Sequence, residues 1–213
     1  MIRIVVMGGS RGIGLETVKA LLGDGHEVVA FSRGADKLKL DNPALLKISG
    51  DATNDGDVRA AIDQADIVVQ TLGVSLNLNL ITGPINLFST ATKTLIPIME
   101  SKGIRRLIAV TGFGAGDSEG AINCFQKIPF NFIFGHAYRD KSKQEENIKN
   151  SGLDWTIVRP GVLINGPLKP KYRVHKHQKE WRNGIITRAA VADYISRILI
   201  DPNTYGTDPV LTN

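Results

Sequence analysis

Ile4-Val5-Val6-Met7-Gly8-Gly9-Ser10-Arg11-Gly12-Ile13-Gly14-Leu15 decides the fold of this chain. An apolar, β-branched run stops at a glycine-rich turn, and a helical pattern follows at once, with Leu15, Val18, Leu21 and Leu22 three and four apart. The stretch reads as strand, turn and helix. Gly8 lets the chain leave the strand tightly, Gly12 lets backbone approach a pyrophosphate, and Gly14 lets the helix pack against the strand. The N–H groups of Ser10 to Gly14 and the positive end of the helix then face the phosphates. The spacing is G-x-x-x-G-x-G rather than G-x-G-x-x-G. The alternative is a βα turn with no ligand; the flanking pattern and the place of the turn favour the phosphate cradle.

The totals set bounds. A chain of 213 residues fits one domain with a substantial core. Apolar content of 42% and charged content of 22% are ordinary for a globular protein. No apolar run reaches the ~20 residues of a membrane span, and the chain enters its first strand without a signal-peptide pattern, so a cytoplasmic setting is expected. Cys124 is the only cysteine, which excludes an intramolecular disulfide. No His, Cys, Asp or Glu group has metal-ligand spacing, and no metal is expected. The net charge of +5 fits either a nucleic acid or an anionic cofactor and substrate.

Strands and helices alternate from end to end. Glu27–Phe31 is a second strand ending at Ser32-Arg33-Gly34. An NAD-selective fold carries an acid there to hold ribose hydroxyls; Arg33, with Arg11 in the glycine loop, suits a 2′-phosphate instead. NADP(H) is therefore expected over NAD(H), the competing reading of Arg33 being a solvated surface side chain. Leu45–Ile48 and Ile67–Thr71 are further strands, with a short helix at Val58, Ala61 and Ile62 capped by Asn54 or Asp55. The run 74–84, with Asn77, Asn79 and Gly83, reads as a loop at the rim of a site. Ile85–Lys102 is a long helix that Pro97 should kink or split. Arg105–Thr111 is a strand followed by a flexible glycine-rich site loop, Gly112–Ser118. Phe125, Phe130, Phe132 and Phe134 line a pocket or belong to the core. A helix is expected from about His136 to Asn150, then a strand at Asp154–Arg159 and a last one at Val210–Thr212. Parallel strands joined by right-handed crossovers give a doubly wound sheet in the order 3-2-1-4-5-6 with helices on both faces: a single-domain α/β Rossmann fold over residues 1–213.

Met7–Gly14 resembles the T-G-x-x-x-G-x-G motif of the short-chain dehydrogenase/reductase superfamily, with Met7 where threonine is usual. Ser151–Gly161, S-G-L-D-W-T-I-V-R-P-G, resembles a signature of its atypical branch, the NAD(P)H-binding, NmrA-like and flavin-reductase or biliverdin-reductase-B-like proteins. The resemblance covers nearly the whole chain. It implies adenine contacts at Asp51 and Ala52, backbone passing the cofactor ribose at Leu72-Gly73, and nicotinamide contacts at Pro160, Gly161 and Val162. It also implies substrate-side elements at about 161–188, where Ile185–Arg188 resembles the family's I-S-R element. The basic stretch Lys169–Arg182 falls there and reads as part of them in preference to a nucleic-acid strip.

Catalytic members of the superfamily use Ser or Thr, Tyr and Lys, the last two four residues apart on a helix. Here Thr111 stands where the hydroxyl belongs, and Tyr138 opens the helix, but Ser142 lies four beyond it. Lys141, three beyond, lies roughly on the same face. A strong dinucleotide cradle with a weak triad fits hydride transfer to a flavin, quinone or small conjugated carbonyl, whose ring absorbs charge. A non-catalytic NADP(H)-binding sensor is the second reading and an epimerase or dehydratase the third. The expected partner is a small-molecule acceptor, and the expected state a monomer or homodimer.

Overall fold

The computed structural model describes residues 1–74, 85–121, 124–168 and 171–213, with backbone only at 121 and 124–134. Five strands come first: β1 (Arg3–Met7), β2 (Glu27–Ser32), β3 (Leu45–Ser49), β4 (Ile67–Gln70) and β5 (Arg106–Val110). They are followed by β6 (Asp154–Pro160), β7 (Val162–Ile164), β8 (Arg173–His175), β9 (Ile185–Thr187) and β10 (Val210–Thr212). The main sheet runs β3-β2-β1-β4-β5-β6-β10-β8. The expected order 3-2-1-4-5-6 is thus present and is extended by β10, parallel to β6, and β8, antiparallel to β10. β7 and β9 form a separate parallel pair.

Among the described residues five α-helices cover the sheet: α1 (Gly12–Gly23), α2 (Asp55–Ala61), α3 (Leu87–Ser101), α4 (Cys124–Lys149) and α5 (Arg188–Arg197). Side chains alternate along each strand, so one strand supplies two cores. Ile4 and Val6 pack with Val18 and Leu21 of α1 and Val191 and Ile195 of α5. Val5 and Met7 pack on the other face with Val58 of α2, Leu95 and Ile98 of α3 and Ile148 of α4. This two-sided burial explains the near-continuous β-branched runs.

Helix ends and strand starts follow local chemistry. The Asn54 side chain accepts from Asp57 N–H and caps α2. Buried Asp140, from α4, accepts from Phe88 N–H at 2.8 Å and so caps the start of α3. Arg106, 5% exposed, donates to the carbonyls of Ile198 and Leu199 after α5. Burial pushes that guanidinium down to about 10. These carbonyls, at the negative end of a helix, stabilise the cation together with the more distant charges of Asp154 and Asp201.

One helix start changes, and of the two outcomes expected at Pro97 the split does not occur, since α3 runs on through it. Pro97 and Lys93, whose carbonyl loses its partner, are both on the exposed side, where water replaces the bond, while Leu95, Ile98 and Met99 hold the inner face. Helix α4 begins at Cys124, well before His136; its backbone runs through Pro129 and Gly135, two residues that ordinarily interrupt a helix. The loop residues Asn77, Asn79 and Gly83, the side chains of Phe125, Phe130, Phe132 and Phe134, and Lys169 lie outside the described residues.

Candidate functional site

A cleft of about 850 Å³ opens beyond the carboxyl ends of β1, β2, β4 and β5, where open α/β sheets bind ligands. Its floor is the glycine turn. Gly8 has φ of +89°, and a Cβ there would meet the Thr71 carbonyl oxygen at 2.8 Å. A Cβ on Gly14 would meet the Gly8 oxygen at 2.2 Å, so the helix seats against the turn only because Gly14 has none. Gly14 therefore acts below the cleft, whereas Gly8, Ser10, Arg11, Gly12 and Ile13 line it. In front of Gly12 the space is open: the nearest atom to its ideal Cβ position is Arg188 Nε at 3.9 Å. No acid stands in the first turn of α1, and Arg11 before it makes no side-chain cap. The N–H groups and positive helix end thus face an open cavity, which fits a phosphate group.

Arg33 is exposed and lines the cleft at the end of β2, as Arg11 does beside it. Asp51 and Ala52 line the same end. The Oδ1 of Asp51 accepts from the Thr53 N–H and hydroxyl at 2.9 and 2.8 Å. Those two bonds, and Arg33 nearby, hold its carboxyl below the usual range. Leu72 and Gly73 line the middle.

The far end differs from the expectation in several ways. Thr111 lines the cleft, and its hydroxyl donates to the buried Glu145 Oε1 at 2.6 Å. Lys141 also lines the cleft; its amine donates to the Thr111 carbonyl and lies 4.7 Å from the Phe88 ring centre. Burial pushes this amine down to about 8, against the attraction of Glu145 and Asp140. Tyr138 is not among the lining residues. Its hydroxyl packs against Gly112, where a Cβ would approach it to 2.7 Å, and burial pushes it up to about 12. The helix thus turns Tyr138 and Lys141 toward different surroundings. Pro160, Gly161 and Val162 do not line the cleft either. The chain leaves the sheet at Gly161, a Cβ on which would meet the Gly184 oxygen at 2.2 Å, and Val162 is 54% exposed; Leu163 faces the cleft instead.

The loop Gly112–Ser118, expected to be a flexible wall of the site, is neither in the lining nor loosely held. Gly114 N–H donates to Ser118 Oγ at 2.8 Å, Gly116 N–H to Ser142 Oγ at 2.9 Å, and Phe113 and Ala115 are buried. Beneath it lies a group that the sequence reading missed. Arg159, with no exposed surface, makes two bonds to Glu145: Nη2 to Oε2 at 2.6 Å and Nε to Oε1 at 3.0 Å. Its Nη2 is 3.1 Å from Asp208 Oδ2, and its guanidinium lies 4.6 Å from the Trp181 ring centre. Burial opposes its charge, and Glu145, Asp208 and Asp117 outweigh burial and hold it above its usual value. Arg188 was missed as well. Its segment stood out in the sequence, but only the fold brings it opposite Gly12, with Nη1 fixed on Asn165 Oδ1 at 2.8 Å. Among the described residues no His, Cys, Asp and Glu group could hold a metal, and no helix is long and apolar enough to cross a membrane.

A parallel sheet that opens its first helix through a glycine turn onto such a cleft defines an NAD(P)-binding Rossmann protein of the short-chain dehydrogenase/reductase class. Within that class the chain belongs to the NAD(P)H-binding family, whose model matches residues 8–202. It is 27% identical over 170 residues to an uncharacterised chloroplast protein of Arabidopsis thaliana, covering 78% of this chain and 60% of that one. It is 28% identical over 179 residues to the chloroplast Protein TIC 62 of the same plant, covering 75% of this chain and 27% of that one. Among solved structures it is similar to ChuY, described as an anaerobillin reductase of Escherichia coli, with 28% identity and a TM-score of 0.81 over 99% of this chain and 96% of that one. The chain spans between about a quarter and three fifths of these two curated relatives.

Proposed function

We propose that this chain is an NADPH-dependent reductase that delivers a hydride to a small conjugated acceptor, a flavin, quinone or carbonyl. The observation that carries the reading is the asymmetry of the cleft: a glycine cradle with Arg11 and Arg33 at one end, and Lys141 without a tyrosine at the other. ChuY, similar over its whole length, is described as a reductase, which supports the same reading. Nicotinamide, when bound, supplies the hydride, and one proton completes the reduction. Gly8, Ser10, Gly12 and Ile13 hold the pyrophosphate through backbone N–H groups, with Gly14 keeping the turn closed beneath them. Arg11 and Arg33 pair with the 2′-phosphate, Asp51 and Ala52 border the adenine, and Leu72 and Gly73 border the ribose. Thr111 presents backbone, not its hydroxyl, while Pro160, Gly161 and Val162 set the direction in which Leu163 enters. The small elements at about 161–188 form the acceptor side, and a cytoplasmic location and a monomer or homodimer accompany the reading.

The test is titration with NADPH and NADH, then NADPH oxidation against flavins, quinones and aldehydes. Turnover supports the reductase; tight binding without turnover supports the sensor, which the absence of Tyr138 from the cleft lining favours. Preference for NADH removes the 2′-phosphate assignment. Arg33→Ala is expected to weaken NADPH by about tenfold or more, the worth of a charge-assisted pair, and to leave NADH within about twofold. Arg188→Ala, opposite the shared pyrophosphate, is expected to weaken both by a similar factor.

Lys141 is the proton donor that remains. It donates only while protonated, so carbonyl reduction should hold below pH about 8 and fall as pH rises through it. Lys141→Met is expected to slow aldehyde reduction by about 10²-fold and abolish that pH limb. Quinone reduction, which draws its proton from water, should change by less than about threefold. Equal losses on both acceptors would remove Lys141 as the donor.

A further inference from the structure

Outside the glycine cleft, a second cavity of about 530 Å³ is lined by Arg173, His175, Lys179, Glu180, Trp181 and Arg182. The chain builds it by doubling back. Strand β8 carries Arg173 and His175 on one face, since residues two apart in a strand point the same way. Val174, between them, packs into the core on the other. A 3-10 turn at Gln178–Glu180 then reverses the chain, so Lys179 and Arg182 stand across from the strand. His175 is 4% exposed and fixed by Thr212 Oγ1 at 2.9 Å from Nε2. Burial first, then Arg182 and Arg173, hold it below its usual value.

The charges here are left without partners. Elsewhere Arg3, Arg59, Lys102, Arg105, Arg159 and Arg197 each meet a carboxylate within 3.1 Å. Among the described residues, the side chains of Arg173, Lys179 and Arg182 make no ion pair or hydrogen bond, and Glu180 is the single acid in the lining. Trp181 supplies a second, independent sign. It is 8% exposed, wedged beside Phe113 and Val210, and among the described residues its indole N–H has no partner. A buried donor without an acceptor costs free energy unless a ligand meets it.

We propose that this cavity is a binding site for a small molecule carrying two or more carboxylate or phosphate groups. Arg173 on one wall and Lys179 and Arg182 on the other hold the anionic groups, and Trp181 forms the floor. The anion is either the acidic part of the acceptor or a separate effector. Buried side chains separate this cavity from the cleft and couple the two: Trp181 stacks on Arg159, Arg159 holds Glu145, and Glu145 accepts from the Thr111 hydroxyl. The concave shape favours a small anion over the nucleic acid that the basic stretch alone allows.

The experiment titrates citrate and, separately, inorganic phosphate into the protein saturated with NADP⁺, at constant ionic strength. Binding is followed by calorimetry and by Trp181 emission in a Trp155→Phe background. Citrate is expected to bind and to quench Trp181. The Arg173→Ser/Arg182→Ser variant is expected to bind citrate about tenfold more weakly or worse, with NADP⁺ affinity within about twofold. If the variant also raises KM for acidic acceptors and not for neutral ones, the site serves the acceptor; if KM is unmoved while citrate binding is lost, it serves a separate anion. Absence of citrate binding in the low millimolar range, or equal binding by both proteins, overturns the proposal. A single-stranded oligonucleotide that binds more tightly than citrate, with steep salt dependence, also overturns it and returns the stretch to nucleic acid. The site does not rest on hydride transfer: without NADP⁺ affinity the same comparison of the two proteins still decides it.

Discussion

Arg159→Met is expected to destabilise the protein by about 3–5 kcal/mol, read as a lowered urea midpoint with an unchanged slope. The magnitude comes from what is left behind. Glu145 is 1% exposed, and Arg159 supplies both of its charge-assisted bonds, at 2.6 and 3.0 Å. Remove the guanidinium and a buried carboxylate keeps only the Thr111 hydroxyl. Asp208 and the face of Trp181 lose a partner in the same step. Replacing both members, Arg159→Met with Glu145→Leu, should restore much of the loss, because no charge is then stranded. Gly116 sets a condition on this repair: its ideal Cβ position lies 2.1 Å from Glu145 Oε2, so the loop is fitted to that carboxylate and a branched side chain there must find new space. A single-variant cost under about 1 kcal/mol would mean that water reaches the pair and that it does not organise the loop.

The second large effect is expected at the glycine turn. Gly14→Ala should weaken NADP(H) binding by about 10²-fold and cost about 1–3 kcal/mol of stability. The new methyl would lie 2.2 Å from the Gly8 oxygen and 2.6 Å from Thr71 Oγ1, and the first of these is backbone that cannot rotate away. Thr71 is itself tied, its hydroxyl donating to the Met7 carbonyl at 2.9 Å. Relief therefore has to come from lifting α1 off the turn, which moves the N–H groups that point into the cleft. Gly23→Ala at the other end of the same helix has nothing within 4 Å and serves as the control, with neutral or slightly improved stability. Equal binding by Gly14→Ala and the control would show that the cradle does not depend on close helix seating.

Local periodicity made the sheet legible. Ile4–Met7, Val28–Phe31, Ile67–Gln70 and Leu107–Val110 are runs whose every residue is buried, and a run of that kind has no other stable place than a strand covered on both faces. The start of α1 was legible in part: Gly14 is demanded by the Gly8 oxygen six residues before it, whereas the atoms that demand Gly8 belong to Thr71 and Leu72. Helix α4 was not, because Pro129 and Gly135 interrupt its first half and no clean helical stripe marks where it begins.

The sequence by itself determined the doubly wound topology, the glycine cradle and the two arginines beside it, since strand period, turn chemistry and charge type are local properties. Only the tertiary structure decided the rest of the site. Tyr138 and Lys141 stand three residues apart, but whether either faces the cleft depends on how α4 is rotated against the sheet. Glu145 and Arg159 are 14 residues apart and become a pair only because α4 lies across β6. Arg188 reaches Gly12 only because α1 and α5 cover the same face of the sheet. Such pairings carry no period and no fixed spacing, so the folded chain alone fixes them.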